Sequence, residues 1–302
     1  MRILQLTDTH LYGDPASRHY DRIDTAAALR AVLARVREME GVDVVVHTGD
    51  ASDDGSVASY RLLHELLDPF AASLGAPLVV TMGNHDVPAA YAEVAGPGDH
   101  GGPWQDRLRA LPRGGRVIVL DSSVPGAGYG HLDPEQLEWL REVLAAPAAS
   151  GAPAGGVSAG GEADGPTVLA IHHPPLVGAT PLLRGLDLDG LDALADVLAG
   201  SDVRAILSGH YHHPMTGSIA GIPVLVGPGI TNVVDPLAAG GVERAGARSG
   251  AQLVEIDAPG APGVRATSAE WASGGDTLED PERPVYEFGP DVVAQILGAA
   301  GR

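Results

Sequence analysis

Apolar positions in this chain come in short, dense runs, and most runs give way at once to polar residues. Residues 2–7 (RILQLT), 42–47 (VDVVVH), 77–82 (PLVVTM), 116–121 (RVIVLD), 167–175 (TVLAIHHPP) and 203 onward (VRAILSGHYHH) are short and mostly rich in β-branched residues, which predicts six strands. Between them, residues 24–39, 56–74, 134–145 and 188–200 space their apolar positions as helices do. Asp133 followed by Pro134 predicts an N-cap with proline in the first turn of the third helix. Residues 216–227 predict a hairpin turning at Ala220 and Gly221, and 252–257 and 264–271 predict edge strands. Residues 147–166 carry no apolar period and are rich in Gly, Ala, Ser and Pro, so a flexible surface loop is expected there. Residues 272–302 specify little.

The alternation of strand and helix predicts an α/β fold with a parallel sheet under covering helices. The later strands predict a second sheet packed on the first. On this reading residues 1–238 form the main domain. Residues 239–302 form a C-terminal extension that completes the second sheet and ends in a loosely ordered tail.

Composition narrows the function. Hydrophobic residues are 44% of the chain but aromatic ones only 4%, so the core is built mainly from Ala, Val and Leu. The formal net charge of −20 argues against long nucleic acids and anionic membranes as partners. An anionic substrate would need a local reversal of that field, which bound metal ions supply. Cysteine is absent, which excludes disulfides, thiolate metal sites and a Cys nucleophile. No run of 18 apolar residues predicts a membrane span. The stretch MRILQLTDTH turns polar too soon for a signal peptide, so the expected location is the cytoplasm.

The chemistry lies in five polar clusters, each just after a predicted strand: Asp8-Thr9-His10, Gly49-Asp50, Gly83-Asn84-His85-Asp86, His172-His173, and Gly209 through His213. In open α/β sheets the carboxyl ends of strands gather at one edge, where ligands bind. Asp, His and Asn donors without sulfur suit Mn, Fe, Zn or similar first-row ions. Their number allows two ions sharing one carboxylate, an arrangement used for in-line displacement at phosphorus. Asp8 and His10 at i, i+2 point the same way from an extended segment, and so do His210 and His212. That spacing leaves His213 on the pocket rim or the plain surface. His47 falls inside a strand and reads as a core or supporting histidine. His19, with Arg18 and Tyr20, reads as part of a solvated loop, and His131 as a helix entry.

The ordered blocks DTH, GD, GNHD, a strand-terminal His before Pro, and GHYHH resemble the calcineurin-like metallophosphoesterase superfamily, most of all the bacterial class III 3′,5′-cyclic-nucleotide phosphodiesterases. The resemblance implies a four-layer α-β-β-α sandwich of two mixed sheets flanked by helices. It implies a first metal on Asp8, His10 and His212, a second on Asn84, His172 and His210, and Asp50 bridging both. The metals would be Mn, Fe, Zn or Co. His85 would bind no metal but face the substrate phosphate together with Asn84 and His212, and Asp86 would hold the His85 imidazole in orientation. The ligand of the His172–His173 pair would be His172, two residues before the first Pro, with His173 turned to the other face of the strand as support or packing. The implied reaction is hydrolysis of cAMP or cGMP to 5′-nucleotides by a metal-bridged hydroxide. A broader small-molecule phosphodiesterase, of glycerophosphodiester type, and a nucleotidase or other phosphomonoesterase share the same core residues. No Tyr follows Gly49-Asp50, where purple acid phosphatases place a ligand. All seven candidate ligands and His85 are present, which argues against a non-enzymatic scaffold. From about Val242 the chain matches no motif, and a cap or a homodimer contact is the expectation there.

Overall fold

The computed structural model describes residues 1–146, 165–257, 263–278, 280 and 283–302. The expected loop 147–166 lies outside the described residues except for Gly165 and Pro166.

Two mixed sheets face each other. The first runs β13-β12-β1-β2-β3, with β1 (Arg2–Leu6), β2 (Val44–Thr48) and β3 (Leu78–Thr81) parallel. Strands β12 (Arg248–Ile256) and β13 (Val264–Ala272) are added antiparallel on the β1 side. The second sheet runs β4-β5-β6-β7-β9-β8. It joins β4 (Arg107–Ala110), β5 (Arg116–Leu120), β6 (Thr167–Ile171), β7 (Val203–Ser208), β8 (Met215–Ile219) and β9 (Ile222–Val226). A small third sheet joins β10 (Val233–Val234), β11 (Glu243–Gly246) and β14 (Tyr286–Phe288).

Strand alternation explains the layers. Val44 and Val46 of β2 and Ala205 and Leu207 of β7 turn inward and meet in one apolar cluster between the sheets. Their neighbours Val45 and Ile206 turn outward. Val45 packs under α1 (Thr25–Val36) and α2 (Val57–Ser73), while Ile206 packs under α4 (Pro134–Ala145) and α6 (Leu191–Leu198). The four-layer sandwich is therefore present. At α4 the Gln136 side chain accepts from the Asp133 N–H at 3.0 Å, so the expected cap is formed. The hairpin turns at Ala220 and Gly221 as expected.

The C-terminal region departs from expectation. β12 lies between β13 and β1 rather than at an edge, and residue by residue it pairs with β1 from Arg2↔Glu255 to Gln5↔Gln252. It extends the sheet of β1, and the second sheet is built wholly from residues between 107 and 226. The tail is also structured. β14 pairs with β11, and α7 (Pro290–Ala299) sets Leu297 against Gly185 at the end of the short helix α5 (Pro181–Gly185). Arg302 lies over the Tyr129 ring at 4.0 Å and donates to Asp189 at 2.9 Å. Sequence periodicity passed over α3 (Pro88–Ala95), α5, β4, β10, β11 and β14, which are short, and over α7, which follows a Gly- and Pro-rich stretch. Among the described residues, no helix is long and apolar enough to cross a membrane.

Candidate metal centre and active site

The strands that carry the polar clusters end at one edge of the two sheets, and the backbone then turns sharply. Asp8, His10, Asp50, His210 and His212 all have positive φ, between 45° and 69°. This left-handed region is unfavourable for side-chain-bearing residues, though Asp, Asn and His tolerate it best. Here it aims five side chains back across the sheet edge. Strain gathered in this way marks a functional site. Two glycines make room for the ligands. A Cβ on Gly49, which has φ +94°, would run into the His172 ring, and one on Gly83 would run into the Asp50 carboxylate.

The donor atoms face one another without protons between them. His10 Nδ1 lies 3.0 Å from Asp53 Oδ1, and His212 Nδ1 lies 3.0 Å from Asn232 Oδ1. Those oxygens only accept, so each Nδ1 carries the ring proton and each Nε2 presents a lone pair. The two Nε2 atoms are 3.2 Å apart, with Asp8 Oδ1 3.4 Å from His212 Nε2 and Asp50 Oδ2 3.6 Å from His10 Nε2. Asp8 Oδ2 is buried with no partner at all. The other half repeats the pattern. His172 Nδ1 donates to Thr48 O at 2.8 Å, leaving Nε2 to face Asn84 Oδ1 at 3.2 Å and Asp50 Oδ2 at 3.4 Å. His210 Nε2 donates to Leu186 O at 3.0 Å, so its Nδ1 is the free donor atom.

Electron-rich atoms clustered in this way repel unless a cation lies among them, and their hard and borderline character suits a first-row divalent ion. The residues therefore fit the metals that the sequence implies, with Asp50 Oδ2 within reach of both halves. Burial holds His10 and His210 neutral, each lowered to about 3, which is the ligating form. At His172 burial also opposes charge, but the Asp50 carboxylate outweighs it and lifts the ring to about 9. The Asp50 field thus calls for positive charge at that point.

Other side chains depart from expectation. Asp86 does not touch the His85 ring; its carboxylate accepts from Ala51 N at 3.1 Å, Ser52 N at 3.0 Å and Gly83 N at 2.8 Å. It staples the turn after β2 to the turn after β3. Asp86→Ala should therefore act on stability, lowering it by roughly 2–4 kcal/mol in urea denaturation as buried N–H groups lose their acceptor. A variant as stable as the parent would contradict that role. His85 instead has its Nδ1 3.4 Å from Asp53 Oδ1.

Asp53 was not singled out in the sequence, where it sits inside the turn-like run DASDDG. In the fold its Oδ1 serves three imidazoles: His10 at 3.0 Å, His85 at 3.4 Å and His19 at 3.4 Å. Burial opposes its charge, but the bonds from His10 and His19 hold its pKa well below the usual range. His19 is not solvated. It is buried against the His10 ring at 4.8 Å, with Nε2 3.3 Å from Asn232 Nδ2. His10, His19 and Asp53 thus form a further metal-competent group beside the main one. Carboxylates that orient ligating histidines typically matter by 10–100-fold. Asp53→Asn is expected to lower kcat by ~10–100-fold and to weaken metal affinity, read by titration with a metal chelator.

His173 is buried beside the site, its ring 4.5 Å from that of His210, with Nδ1 bonded to Ser122 Oγ at 2.8 Å. Its Nε2 lies 3.3 Å from Gly128 O, so both ring nitrogens have protein partners and His173 has the supporting role expected of it, but from beside His210 rather than from the other face of the strand. The strand ends at Ile171, before either histidine, and alternation no longer applies. His213 is neither rim nor surface; it is buried, bonded to Tyr211 O at 2.8 Å and stacked on the Tyr211 ring. His47 is buried in the core with Nε2 3.1 Å from Thr9 Oγ1, as expected, and His131 is exposed.

The clustered donor residues open into a cavity of about 140 Å³. Its floor includes His10, Asp50, Asn84, His85, His210 and His212, and its walls come from α5, β10, β11 and β14. The C-terminal region therefore helps to roof the site.

A family model described as calcineurin-like phosphoesterase matches residues 1–214. A cAMP/cGMP dual specificity phosphodiesterase of Mycobacterium tuberculosis is 38% identical over 257 residues, 84% of this chain and 75% of that one. The 3′,5′-cyclic adenosine monophosphate phosphodiesterase CpdA of Pseudomonas aeruginosa is 31% identical over 230 residues, 75% of each chain. CpdA of Escherichia coli K12 is 33% identical over 230 residues, 71% of this chain and 70% of that one. The chain belongs to the calcineurin-like phosphoesterase family, as a metal-dependent phosphodiesterase.

Proposed function

We propose that this protein hydrolyses 3′,5′-cyclic nucleotides to 5′-nucleotides with a pair of divalent ions. The observation that carries the reading is Asp50, whose Oδ2 lies between His10 Nε2 and His172 Nε2 and so belongs to both halves of the donor cluster. The names of the relatives, all cyclic-nucleotide phosphodiesterases, supply the substrate class. Asp8, His10 and His212 would hold one ion and Asn84, His172 and His210 the other. Bound there, the ions would supply Lewis acidity that draws an anionic phosphate to a strongly acidic protein and makes water a nucleophile at neutral pH. The metal would be Mn, Fe, Zn or Co.

The chain's own groups divide the remaining work. With its Oδ1 turned to His172, Asn84 has Nδ2 left to donate to a phosphoryl oxygen. His212 lines the same cavity beside the phosphate. His85 holds Nδ1 toward Asp53, so Nε2 is the end that delivers a proton to the departing O3′. Water adds to phosphorus, the P–O3′ bond breaks, and the proton released by water restores His85.

The test is a substrate panel on protein reconstituted separately with each metal. It comprises 3′,5′-cAMP, 3′,5′-cGMP, 2′,3′-cyclic nucleotides, a glycerophosphodiester and bis-4-nitrophenyl phosphate. The 3′,5′-cyclic nucleotides should show the highest kcat/KM among the natural diesters. Hydrolysis of 3′,5′-cAMP no faster than the uncatalysed rate would overturn the reading.

A further inference from the structure

The cavity wall formed by α5, β10, β11 and β14 is largely apolar, with Tyr286 and one carboxylic acid as its polar members. Leu182, Leu183 and Leu186 supply most of it, and Glu243, the first residue of β11, stands among them. Glu243 is 1% exposed, and neither carboxyl oxygen makes a hydrogen bond within the protein. Burial pushes its pKa up, and the nearby Thr180 hydroxyl and the His212 ring oppose that rise without cancelling it. An acid in such a wall is costly to bury. Buried polar groups in folded proteins nearly always have a partner, so one that lines a ligand cavity without one calls for an explanation. The simplest is that its partner arrives with the substrate.

The chemistry of the substrate says which group that is; this step rests on the cyclic-nucleotide reading. The phosphate must sit on the metal residues. With the phosphate there, the sugar lies in the cavity and the base projects toward its mouth. There Tyr20 is 48% exposed and its ring lies 4.8 Å from that of Tyr286 and 6.2 Å from that of Phe288, an aromatic edge suited to a base. The donor left inside the cavity is the ribose 2′-hydroxyl, on the carbon next to the one that carries the leaving O3′. It is closer to phosphorus than any amino group of a base. We propose that Glu243 accepts a hydrogen bond from the ribose 2′-hydroxyl and makes the enzyme select ribo- over deoxyribo-cyclic nucleotides. A site built to bond a substrate hydroxyl rejects the analogue that lacks it, because the buried partner is then left unpaired.

The experiment compares 3′,5′-cAMP with 2′-deoxy-3′,5′-cAMP as substrates for wild type, Glu243→Leu and Glu243→Gln. Bis-4-nitrophenyl phosphate is added for the wild type. The wild type should favour the ribo substrate by ~10–100-fold in kcat/KM, the range of a hydrogen bond to a charged group. The ratio should fall to about 1 in Glu243→Leu and be partly restored in Glu243→Gln, whose amide oxygen still accepts. Leucine matches the surrounding wall and removes a buried unpaired acid, so Glu243→Leu should melt no lower than wild type, which secures the fold. A merely structural role, such as supporting Thr180 at the start of α5, would leave the ratio unchanged. A wild-type ratio near 1, or a ratio preserved in Glu243→Leu, overturns the proposal alone. Cleavage of the nitrophenyl diester with neither cyclic nucleotide touched overturns the cyclic-nucleotide reading, and this proposal with it.

Discussion

Asp50→Ala is expected to abolish turnover, by at least ~10³-fold in kcat, because metal activation at phosphorus is worth several kcal/mol and on the proposed assignment this one side chain would serve both metal positions. Each other candidate ligand belongs to one half of the cluster. Asp50 Oδ2 lies 3.6 Å from His10 Nε2 and 3.4 Å from His172 Nε2, while Oδ1 accepts from the His85 N–H at 2.9 Å. Losing it removes the shared negative charge and loosens the turn that presents Asn84 and His85. Metal analysis should fall from two equivalents per chain toward none, whereas Asp8→Ala should spare the second ion better than the first. Folding should survive. Asp8, raised chiefly by burial, is also pushed up by the Asp50 charge, so removing Asp50 relieves a buried repulsion as it removes a bond. Two tightly held equivalents in Asp50→Ala would mean that the donor cluster does not work as a pair of sites.

The sandwich and the gathering of the donor side chains were legible because both depend on local pattern. Runs such as VVVHT and VRAILS are too short and too β-branched for helices, and strand ends are where an α/β sheet gathers its ligands. What escaped the sequence depends on where loops travel. Asp53 is one acid in a run of turn formers, and nothing local says that its oxygen will meet the rings of His10, His19 and His85. Asn232 and His19 lie far apart in the chain and meet only after β10 is placed. Glu243 belongs to a strand of four residues, ERAG, with no readable alternation, and only the pairing of β11 with β14 brings it under the roof of the cavity. The two errors over histidines share one cause. Alternation was carried past the ends of β6 and β7, where His173 and His213 follow turns rather than pleats.

His85→Ala is expected to lower kcat on cyclic nucleotides by ~10²–10⁴-fold, the usual worth of a positioned general acid, while metal content stays at the wild-type level. The ring lies beside the clustered donor residues, 4.7 Å from the His10 ring and edge-on to it, yet its Nδ1 faces Asp53 Oδ1 at 3.4 Å and it belongs to no group of potential metal ligands found among the described residues. Its side chain is 42% exposed toward the cavity, so removing it leaves no sealed void and should cost little stability. The decisive comparison is between leaving groups. Ribose O3′ departs as a strongly basic alkoxide and needs a proton, whereas 4-nitrophenolate leaves readily without one. The variant should therefore lose far less on bis-4-nitrophenyl phosphate than on 3′,5′-cAMP. Equal losses on both substrates, or loss of metal from His85→Ala, would make His85 a ligand or a phosphate anchor and would leave the leaving oxygen to take its proton from solvent.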